Sequence, residues 1–352
     1  MTEIYQKLAK HLDNLPAGFP PTESGVELRI LQRLFTPEEA ETACGLMMFP
    51  EPVSGIAART GQDEEALGKM LDNMSKKGLI FRQSKNNEKK YMAAQFVVGI
   101  WEYHLNDLDE ELIRDVNEYL PILMEERMLK QKTKQLRVVP VSQSIRAEMN
   151  IMPYEAAEEI IRNQSKILLA PCICRREQKM VGKGCDRLSE ACLVFGSGAV
   201  FYEENKLGRP ISQEEALDVL KAGLEDGLVL QPGNAQKPAN ICMCCGCCCQ
   251  ILKNLKNMDN PAAVINSNYY AVTDADSCTA CGECAERCQM EAITVEDSAQ
   301  ITAERCIGCG LCVTHCPTGA IRLQQKDREE QYTPPKNLVE TYMNMARERG
   351  LI

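Results

Sequence analysis

The sequence is poor in aromatic residues and in histidine. Aromatic side chains make up 5% of 352 residues, Trp101 is the single tryptophan, and the histidines are His11, His104 and His315. So few aromatic side chains argue against an aromatic-rich binding surface. The three histidines form no visible constellation with nucleophiles, and acid–base or nucleophilic hydrolysis is therefore not expected.

Other absences exclude further classes of protein. No run of about 18 apolar residues occurs, so we expect no membrane span. The first eight residues lack the apolar stretch of a secretion signal. The sequence has no Gly-Lys-Ser/Thr phosphate loop, and Gly196–Gly198 lacks the third glycine of a dinucleotide site. A net charge of -10 opposes broad binding to nucleic acid or to anionic lipid.

Cysteine is abundant and unevenly placed. Of 19 cysteines, only Cys44 precedes residue 172, and the other eighteen lie between Cys172 and Cys316. A disulfide scaffold is not expected in a chain of this length without a secretion signal. Dense cysteine here predicts metal binding in a reducing compartment, which indicates a cytoplasmic protein.

Eight cysteines form an internal repeat near the C-terminus. The pattern Cys-x2-Cys-x2-Cys-x3-Cys occurs at 278–288 and at 306–316, and an apolar stretch follows each copy, at 291–295 and 319–323. The pattern resembles bacterial dicluster ferredoxins over roughly residues 268–326. The resemblance implies two [4Fe–4S] clusters, with the fourth cysteine of each quartet bound to the other cluster. One cluster then belongs to Cys278, Cys281, Cys284 and Cys316, and the other to Cys306, Cys309, Cys312 and Cys288.

Structural zinc is the alternative for this repeat, because zinc also takes four thiolates. Zinc sites usually show two separated pairs of cysteines, so the spacing favours iron–sulfur clusters. Gln289 stands where the ferredoxins usually have a proline, which affects the direction of the chain and not a ligand. The acidic neighbours Glu283, Glu286 and Glu291 predict a low reduction potential.

Ten further cysteines precede the repeat and match neither a ferredoxin quartet nor the radical-SAM pattern. Six of them lie within residues 242–249, where crowded free thiols would be an oxidation hazard. We therefore predict a third metal centre, with an iron–sulfur cluster favoured over zinc and over inert thiols. One candidate set is Cys172, Cys174, Cys185 and Cys192. A second set, or the completion of the first, would come from Cys242, Cys244, Cys245, Cys247, Cys248 and Cys249.

The N-terminal half predicts helices followed by a hairpin. Thr36–Glu39 is a capping box, and residues 54–61 and 67–74 have helical patterns, with Gly78 where the second of these helices should end. Two strands are predicted at 79–82 and 91–93, with a polar loop between them. This order of elements resembles a winged helix-turn-helix.

The winged segment has two interpretations. The acidic residues Asp63, Glu64 and Glu65 begin its second helix, where a DNA-reading helix would meet base edges, so we favour protein docking over DNA binding. Basic side chains that could still contact phosphates are Arg59, Lys69, Lys76, Lys77, Lys85, Lys89 and Lys90.

These patterns predict an α+β multidomain chain. Residues 1–163 would form a helical, winged-helix-like docking domain and residues 164–267 a cysteine-rich α/β domain. Residues 268–330 would form a dicluster ferredoxin domain, and residues 331–352 a helical tail.

The whole chain resembles multidomain iron–sulfur proteins of anaerobic microbes, through the segments at 15–20, 74–80, 171–175 and 242–249. The predicted function is electron transfer between protein redox partners, as a carrier or an oxidoreductase subunit. Two alternatives stay open. One is a redox-sensing winged-helix transcription regulator, and the other is a reductase with its active cluster in the middle domain. Cys244–Gly246 is similar to part of the cysteine-rich domain of heterodisulfide reductase, whose further copies the sequence lacks.

Overall fold

The computed structural model describes residues 2–86, 88–145, 149 and 151–352. It divides into two compact units. The first contains Met1–Thr133, Gly196–Pro210 and Tyr342–Ile352, and the second contains Lys134–Phe195 and Ile211–Thr341. The finer division into four domains is not tested by these units and stays a prediction.

The helices of the described chain follow in sequence order. They are α1 (Thr2–Asp13), α2 (Val26–Leu34), α3 (Pro37–Cys44), α4 (Val53–Thr60), α5 (Glu64–Lys76), α6 (Trp101–Tyr103), α7 (Glu110–Leu123), α8 (Ala157–Arg162), α9 (Ile173–Met180), α10 (Gly196–Glu204), α11 (Gln213–Glu225), α12 (Gln250–Lys256), α13 (Glu283–Arg287) and α14 (Leu338–Glu348). In the described part of the chain, no helix is both long and apolar enough to cross a membrane.

The strands are short. They are β1 (Glu51–Pro52), β2 (Ile80–Lys85), β3 (Glu88–Ala93), β4 (Ile167–Pro171), β5 (Glu190–Phe195), β6 (Arg209–Ile211), β7 (Val229–Pro232), β8 (Asn240–Cys244), β9 (Tyr269–Thr273), β10 (Ile293–Val295), β11 (Ala299–Ile301) and β12 (Ile321–Gln325).

Two helices and a hairpin follow one another in the first unit, in the predicted order. The capping box at the start of α3 is confirmed, because Thr36 and Glu39 exchange both side chain to backbone hydrogen bonds. Helices α4 and α5 precede β2 and β3, which pair in antiparallel fashion, and β1 pairs with β3. The strands are longer than predicted. Lys85 pairs with Glu88, so most of the predicted polar loop is strand, and Asn87 lies outside the described residues.

Helix α10 packs on β2 through aromatic side chains. The rings of Phe81 and Phe201 lie 5.0 Å apart, and those of Tyr103 and Phe201 lie 4.6 Å apart. Arg82 is 3% exposed, and its guanidinium lies 2.7 Å from the carboxylate of Glu204. This face of the hairpin is therefore covered within the first unit.

In the second unit, β4, β5, β8 and β7 lie side by side in that order, and every neighbouring pair is antiparallel. The prediction of an α/β middle domain is therefore wrong, because such domains have parallel strands joined by crossover helices. The layer is an antiparallel sheet with helices, as in α+β proteins. The predicted capped helix at Ser212 is present as α11.

The C-terminal part of the second unit has two small antiparallel pairs of strands. Strand β9 pairs with β12, and β10 pairs with β11. The apolar stretches that follow the two cysteine quartets contain β10 and β12. Ile293 of β10 and Ile321 and Leu323 of β12 pack with Tyr269 of β9 and with cysteines of the repeat.

Candidate metal centres

Four cysteines of the repeat surround a small cavity. Cys278 and Cys281 come from the loop that leads into α13, Cys284 lies in the first turn of α13, and Cys316 comes from the end of the second quartet. Cys281 is exposed, whereas Cys284 is buried. This cavity therefore has one solvent-facing sulfur at its edge.

The other four cysteines of the repeat line a second small cavity. Cys306, Cys309 and Cys312 come from one loop, and Cys288 comes from the end of the first quartet. The loop passes so close to β9 that a Cβ at Gly308 would lie 2.0 Å from the carbonyl oxygen of Tyr269, and only glycine fits there.

Backbone N–H groups point at the sulfurs of the repeat. Ala299 donates to Cys278 at 3.4 Å, and Ala271 donates to Cys306 at 3.3 Å. Bonds of this kind stabilise negative charge on sulfur and tune the potential of a bound cluster. Burial raises the pKa of Cys309 to about 12, so this thiol keeps its proton until a metal displaces it. Four such sulfurs around one cavity are the donor set that a [4Fe–4S] cluster takes.

The comparison with protein families agrees with this geometry. Residues 271–294 and 299–322 each match the family model of the 4Fe-4S binding domain. A 4Fe-4S binding domain with two motifs therefore forms the C-terminal region. Searches among curated proteins and among solved structures give no significant match. The resemblance of the N-terminal segment to a winged helix stays a prediction.

Outside the 4Fe-4S domain, four more cysteine sulfurs converge. The Sγ atoms of Cys185, Cys245, Cys247 and Cys248 all lie within 4.8 Å of one another, and these residues are named here the four-thiol group. The Sγ atom of Cys185 is 3.6 Å from that of Cys248 and 3.9 Å from that of Cys245. Four thiolates are the number that one zinc ion or one iron–sulfur cluster takes, and sulfurs this close together have the spacing expected around a single zinc ion.

A turn after β8 supplies three of these sulfurs. The N–H of Cys249 donates to the carbonyl of Cys245 at 3.1 Å, which closes a helix-like turn. Residues three apart share one side of such a turn, so Cys245 and Cys248 face Cys185 together.

The other six cysteines of the segment form a second network, named here the six-thiol group. Cys242 and Cys244 alternate along β8 and share one face of the sheet. Cys192 on β5 stands opposite Cys242. Interactions between neighbouring thiols, which shift their pKa values, then connect, in order, Cys192, Cys242, Cys244, Cys249, Cys174 and Cys172.

This division differs from the predicted one. The structure does not bring Cys185 together with Cys172, Cys174 and Cys192, because Cys185 lies in the four-thiol group. It also separates Cys249 from its neighbours Cys247 and Cys248. The alternation of Cys242 and Cys244 with Ile241 and Met243 was visible in the sequence and would have indicated a strand. The pairing of that strand with β5 was not.

Arg175 was not predicted as a functional residue. It is 4% exposed, and its Nη1 lies 3.6 Å from the Sγ of Cys245. Burial alone would lower the pKa of Arg175, but the thiolates of Cys172, Cys245 and Cys244 raise it. One buried guanidinium therefore serves sulfurs of both groups.

Gln289 connects the four-thiol group to the 4Fe-4S domain. Its side-chain oxygen accepts a hydrogen bond of 2.7 Å from the N–H of Gly246, which lies between Cys245 and Cys247. A Cβ at Gly246 would lie 2.2 Å from the carbonyl oxygen of Gln289. Because Gln289 directly follows Cys288, the two ligand sets meet at this contact. The sequence showed the absence of proline here but not the role of the glutamine.

Proposed function

We propose that this chain is a cytoplasmic iron–sulfur electron-transfer protein of an anaerobe, which exchanges single electrons with protein redox partners. It would hold two [4Fe–4S] clusters in its C-terminal domain and an additional metal centre in the four-thiol group. The observation that supports this most directly is the pair of cavities, each surrounded by four cysteines drawn from both copies of the repeat. When bound, the clusters supply reversible one-electron redox chemistry.

The crossed arrangement gives each cysteine of the repeat a proposed role. Cys316 would join Cys278, Cys281 and Cys284 around the first cluster, and Cys288 would complete the ligand set around the second. Exposed Cys281 places the first site nearest to solvent, where a redox partner can approach. The more buried sulfurs of the second site keep it away from water.

The contact between Gly246 and Gln289 supports a relay role for the four-thiol group. It joins the turn that carries Cys245 and Cys247 to the residue after Cys288 through one short hydrogen bond. The second cavity and the four-thiol group are thus neighbours in the same unit. A purely structural zinc site in the four-thiol group is the competing interpretation, since zinc also takes four thiolates.

The test is to purify the full chain without oxygen, to measure iron, zinc and acid-labile sulfide, and to titrate the reduced protein by EPR. We expect iron and sulfide in equal amounts and reversible one-electron signals. Cys44→Ser is the matched control, because Cys44 lies in the first unit and the other cysteines lie in the second. Zinc without sulfide would contradict the electron-transfer role, and zinc in the four-thiol group alone would contradict the relay.

For the first unit we propose protein docking by the helix–turn–helix and hairpin. Asp63 caps the N-terminus of α5, where its carboxylate accepts a hydrogen bond from the N–H of Ala66. An acidic side chain therefore lies at the end of the helix that would contact DNA bases. Most of the basic residues predicted to reach phosphates are engaged by carboxylates. Arg59 pairs with Glu51, Lys69 with Glu65, Lys76 and Lys89 with Asp72, and Lys77 with Glu39.

A transcription regulator is the second candidate, favoured by the order of elements from α4 to β3. Selection from random duplex DNA at physiological salt distinguishes the two. We expect no reproducible motif and only weak, salt-sensitive binding. Binding to a selected DNA motif that is lost in the Arg59→Gln variant would favour a transcription regulator over protein docking.

A further inference from the structure

The six-thiol group lies on one face of the antiparallel sheet. Strand β8 directs Ile241 and Met243 into the core, where both are 0% exposed, so Cys242 and Cys244 point to the opposite face. Cys192 stands beside Cys242 on β5. The sheet therefore gathers three sulfurs from two strands before any helix contributes.

Two helix starts add the other three sulfurs. Cys172 is the residue before α9 and Cys174 lies in its first turn, while Cys249 is the residue before α12. Cys249 is central, because the Nε2 of Gln231, which stands opposite Cys242 in the sheet, lies 3.8 Å from its Sγ, and its thiol interacts with those of Cys174 and Cys244. Six sulfurs from four stretches of chain thus form one connected set.

We propose that the six-thiol group binds an iron–sulfur centre of its own, separate from the four-thiol group, so that the chain carries four such centres. The proposed function requires only the two clusters of the C-terminal domain and one additional centre, so this inference goes beyond it.

The number of sulfurs favours an iron–sulfur centre over zinc. A zinc ion is filled by four thiolates, and two thiols of this group would remain crowded against it. An iron–sulfur cluster contains several irons, so more than one subset of the six sulfurs could serve as its ligands. No carboxylate or imidazole is needed to complete the set.

The surroundings of these sulfurs fit bound thiolates. The Nδ2 of Asn240 lies 3.4 Å from the Sγ of Cys242, and the Nε2 of Gln231 lies 3.8 Å from the Sγ of Cys249. Gln231 is 0% exposed, so its N–H group has no access to water. Side-chain donors buried against sulfur stabilise the negative charge that a metal-bound thiolate carries.

The separation from the four-thiol group follows from the direction of adjacent residues. Cys248 belongs to the turn that faces Cys185, whereas Cys249 faces Cys174 and Cys244. Cys244 and Cys245 divide in the same way at the end of β8. The side chains of Cys244 and Cys245 thus point in different directions, as do those of Cys248 and Cys249. One centre therefore cannot use both members of either pair.

The experiment counts iron and sulfide in the full chain, purified without oxygen, for two paired variants and their combination. Cys174→Ser/Cys249→Ser removes two sulfurs of the six-thiol group, and Cys245→Ser/Cys248→Ser removes two of the four-thiol group. Cys44→Ser is the control. The wild type should hold about 16 irons, each pair should lose about four, and the combination should lose about eight, if each centre is a four-iron cluster. The EPR signals of the C-terminal domain should persist in every variant.

Non-additive losses would overturn the proposal. If the two pairs and their combination all remove the same irons, the ten cysteines build a single centre. Full iron content in Cys174→Ser/Cys249→Ser would also overturn the proposal, and so would zinc bound to the six-thiol group of the wild type. If the paired variants do not fold, native mass spectrometry of the wild type decides, since about 12 irons or fewer without zinc leaves no fourth centre. Absence of the C-terminal EPR signals in the wild type would instead contradict the proposed function.

Discussion

The two cysteine-rich regions of this chain bring sulfurs together in different ways. In the C-terminal repeat, three of the four cysteines around each cavity lie within seven consecutive residues, 278–284 or 306–312. The six-thiol group draws its sulfurs from positions between 172 and 249 and depends on the pairing of β5 with β8. A local loop can bind a cluster by its spacing alone, whereas the middle segment needs its sheet first.

Backbone N–H groups donate to sulfur in both regions, but the middle segment adds amide and guanidinium side chains. In the repeat, the donors include the backbone N–H groups of Ala271, Ala292 and Ala299. In the middle segment the side chains of Arg175, Gln231 and Asn240 approach sulfur. Backbone donors are fixed by the fold, so single substitutions can retune the middle centres more readily than those of the repeat.

The largest expected effect tests the crossed arrangement of the repeat. Cys316→Ser should abolish the same EPR signal as Cys278→Ser, because both sulfurs face the first cavity. Cys288→Ser should abolish the signal that Cys306→Ser abolishes. Low-temperature EPR of the four reduced single variants makes the comparison. Loss of one common signal in Cys316→Ser and Cys306→Ser would show that the quartets are not crossed.

The next effect concerns the junction of the two regions. In Gly246→Ala the new methyl group would lie 2.2 Å from the carbonyl oxygen of Gln289, so the turn must shift. We expect a loss of about 1–3 kcal/mol in the free energy of unfolding, typical of overpacking, and less iron in the four-thiol group.

Gly55→Ala in α4 is the control for this substitution, since the nearest atom to its Cβ would be 3.6 Å away. It should leave iron content unchanged and raise stability by about 0.5–1 kcal/mol. Equal behaviour of the two variants in denaturant titrations and metal analysis would show that the regions do not depend on this contact.

Arg175→Gln should lower the reduction potential of the middle centres, because it removes a buried positive charge that favours the reduced state. A unit charge about 5 Å from a site, at an effective dielectric constant of about 20, corresponds to a shift on the order of 100 mV. Redox titration by EPR measures it, with exposed Arg176→Gln as the control on the same helix. The potentials of the C-terminal clusters should stay unchanged, and an equal shift in all centres would contradict the separate tuning of the two regions.

The smallest expected effect comes from Gln231→Leu. The substitution removes the N–H group that lies 3.8 Å from the Sγ of Cys249 and keeps a similar side-chain volume. We expect a decrease in potential on the order of tens of mV at the six-thiol group, since hydrogen bonds to sulfur tune cluster potentials. The signals of the four-thiol group serve as the internal reference, and a shift confined to them would refute the assignment of Cys249.

The sequence predicted the parts of the molecule that are local in the chain. The quartet spacing, the capping box at Thr36 and the helix at Ser212 each depend on residues within one turn or one loop. The antiparallel sheet was missed because strand pairing joins β5 to β8 across almost fifty residues. For the same reason the sequence did not indicate that Cys185 lies beside Cys245, Cys247 and Cys248, and the contacts of Gln289 and Arg175 with residues distant in the chain were not predicted.

The segment from Cys244 to Cys249 has a further consequence for how oxygen would damage the protein. Its cysteines are divided between the two groups. Cys244 and Cys249 at its ends belong to the six-thiol group, and Cys245, Cys247 and Cys248 between them belong to the four-thiol group. Oxidation of the exposed thiol of Cys247 would pull on a peptide segment whose two ends anchor the neighbouring site. Oxygen damage at Cys247 would therefore disturb both middle sites, while the two C-terminal sites, which exchange ligands only with each other, would be affected separately.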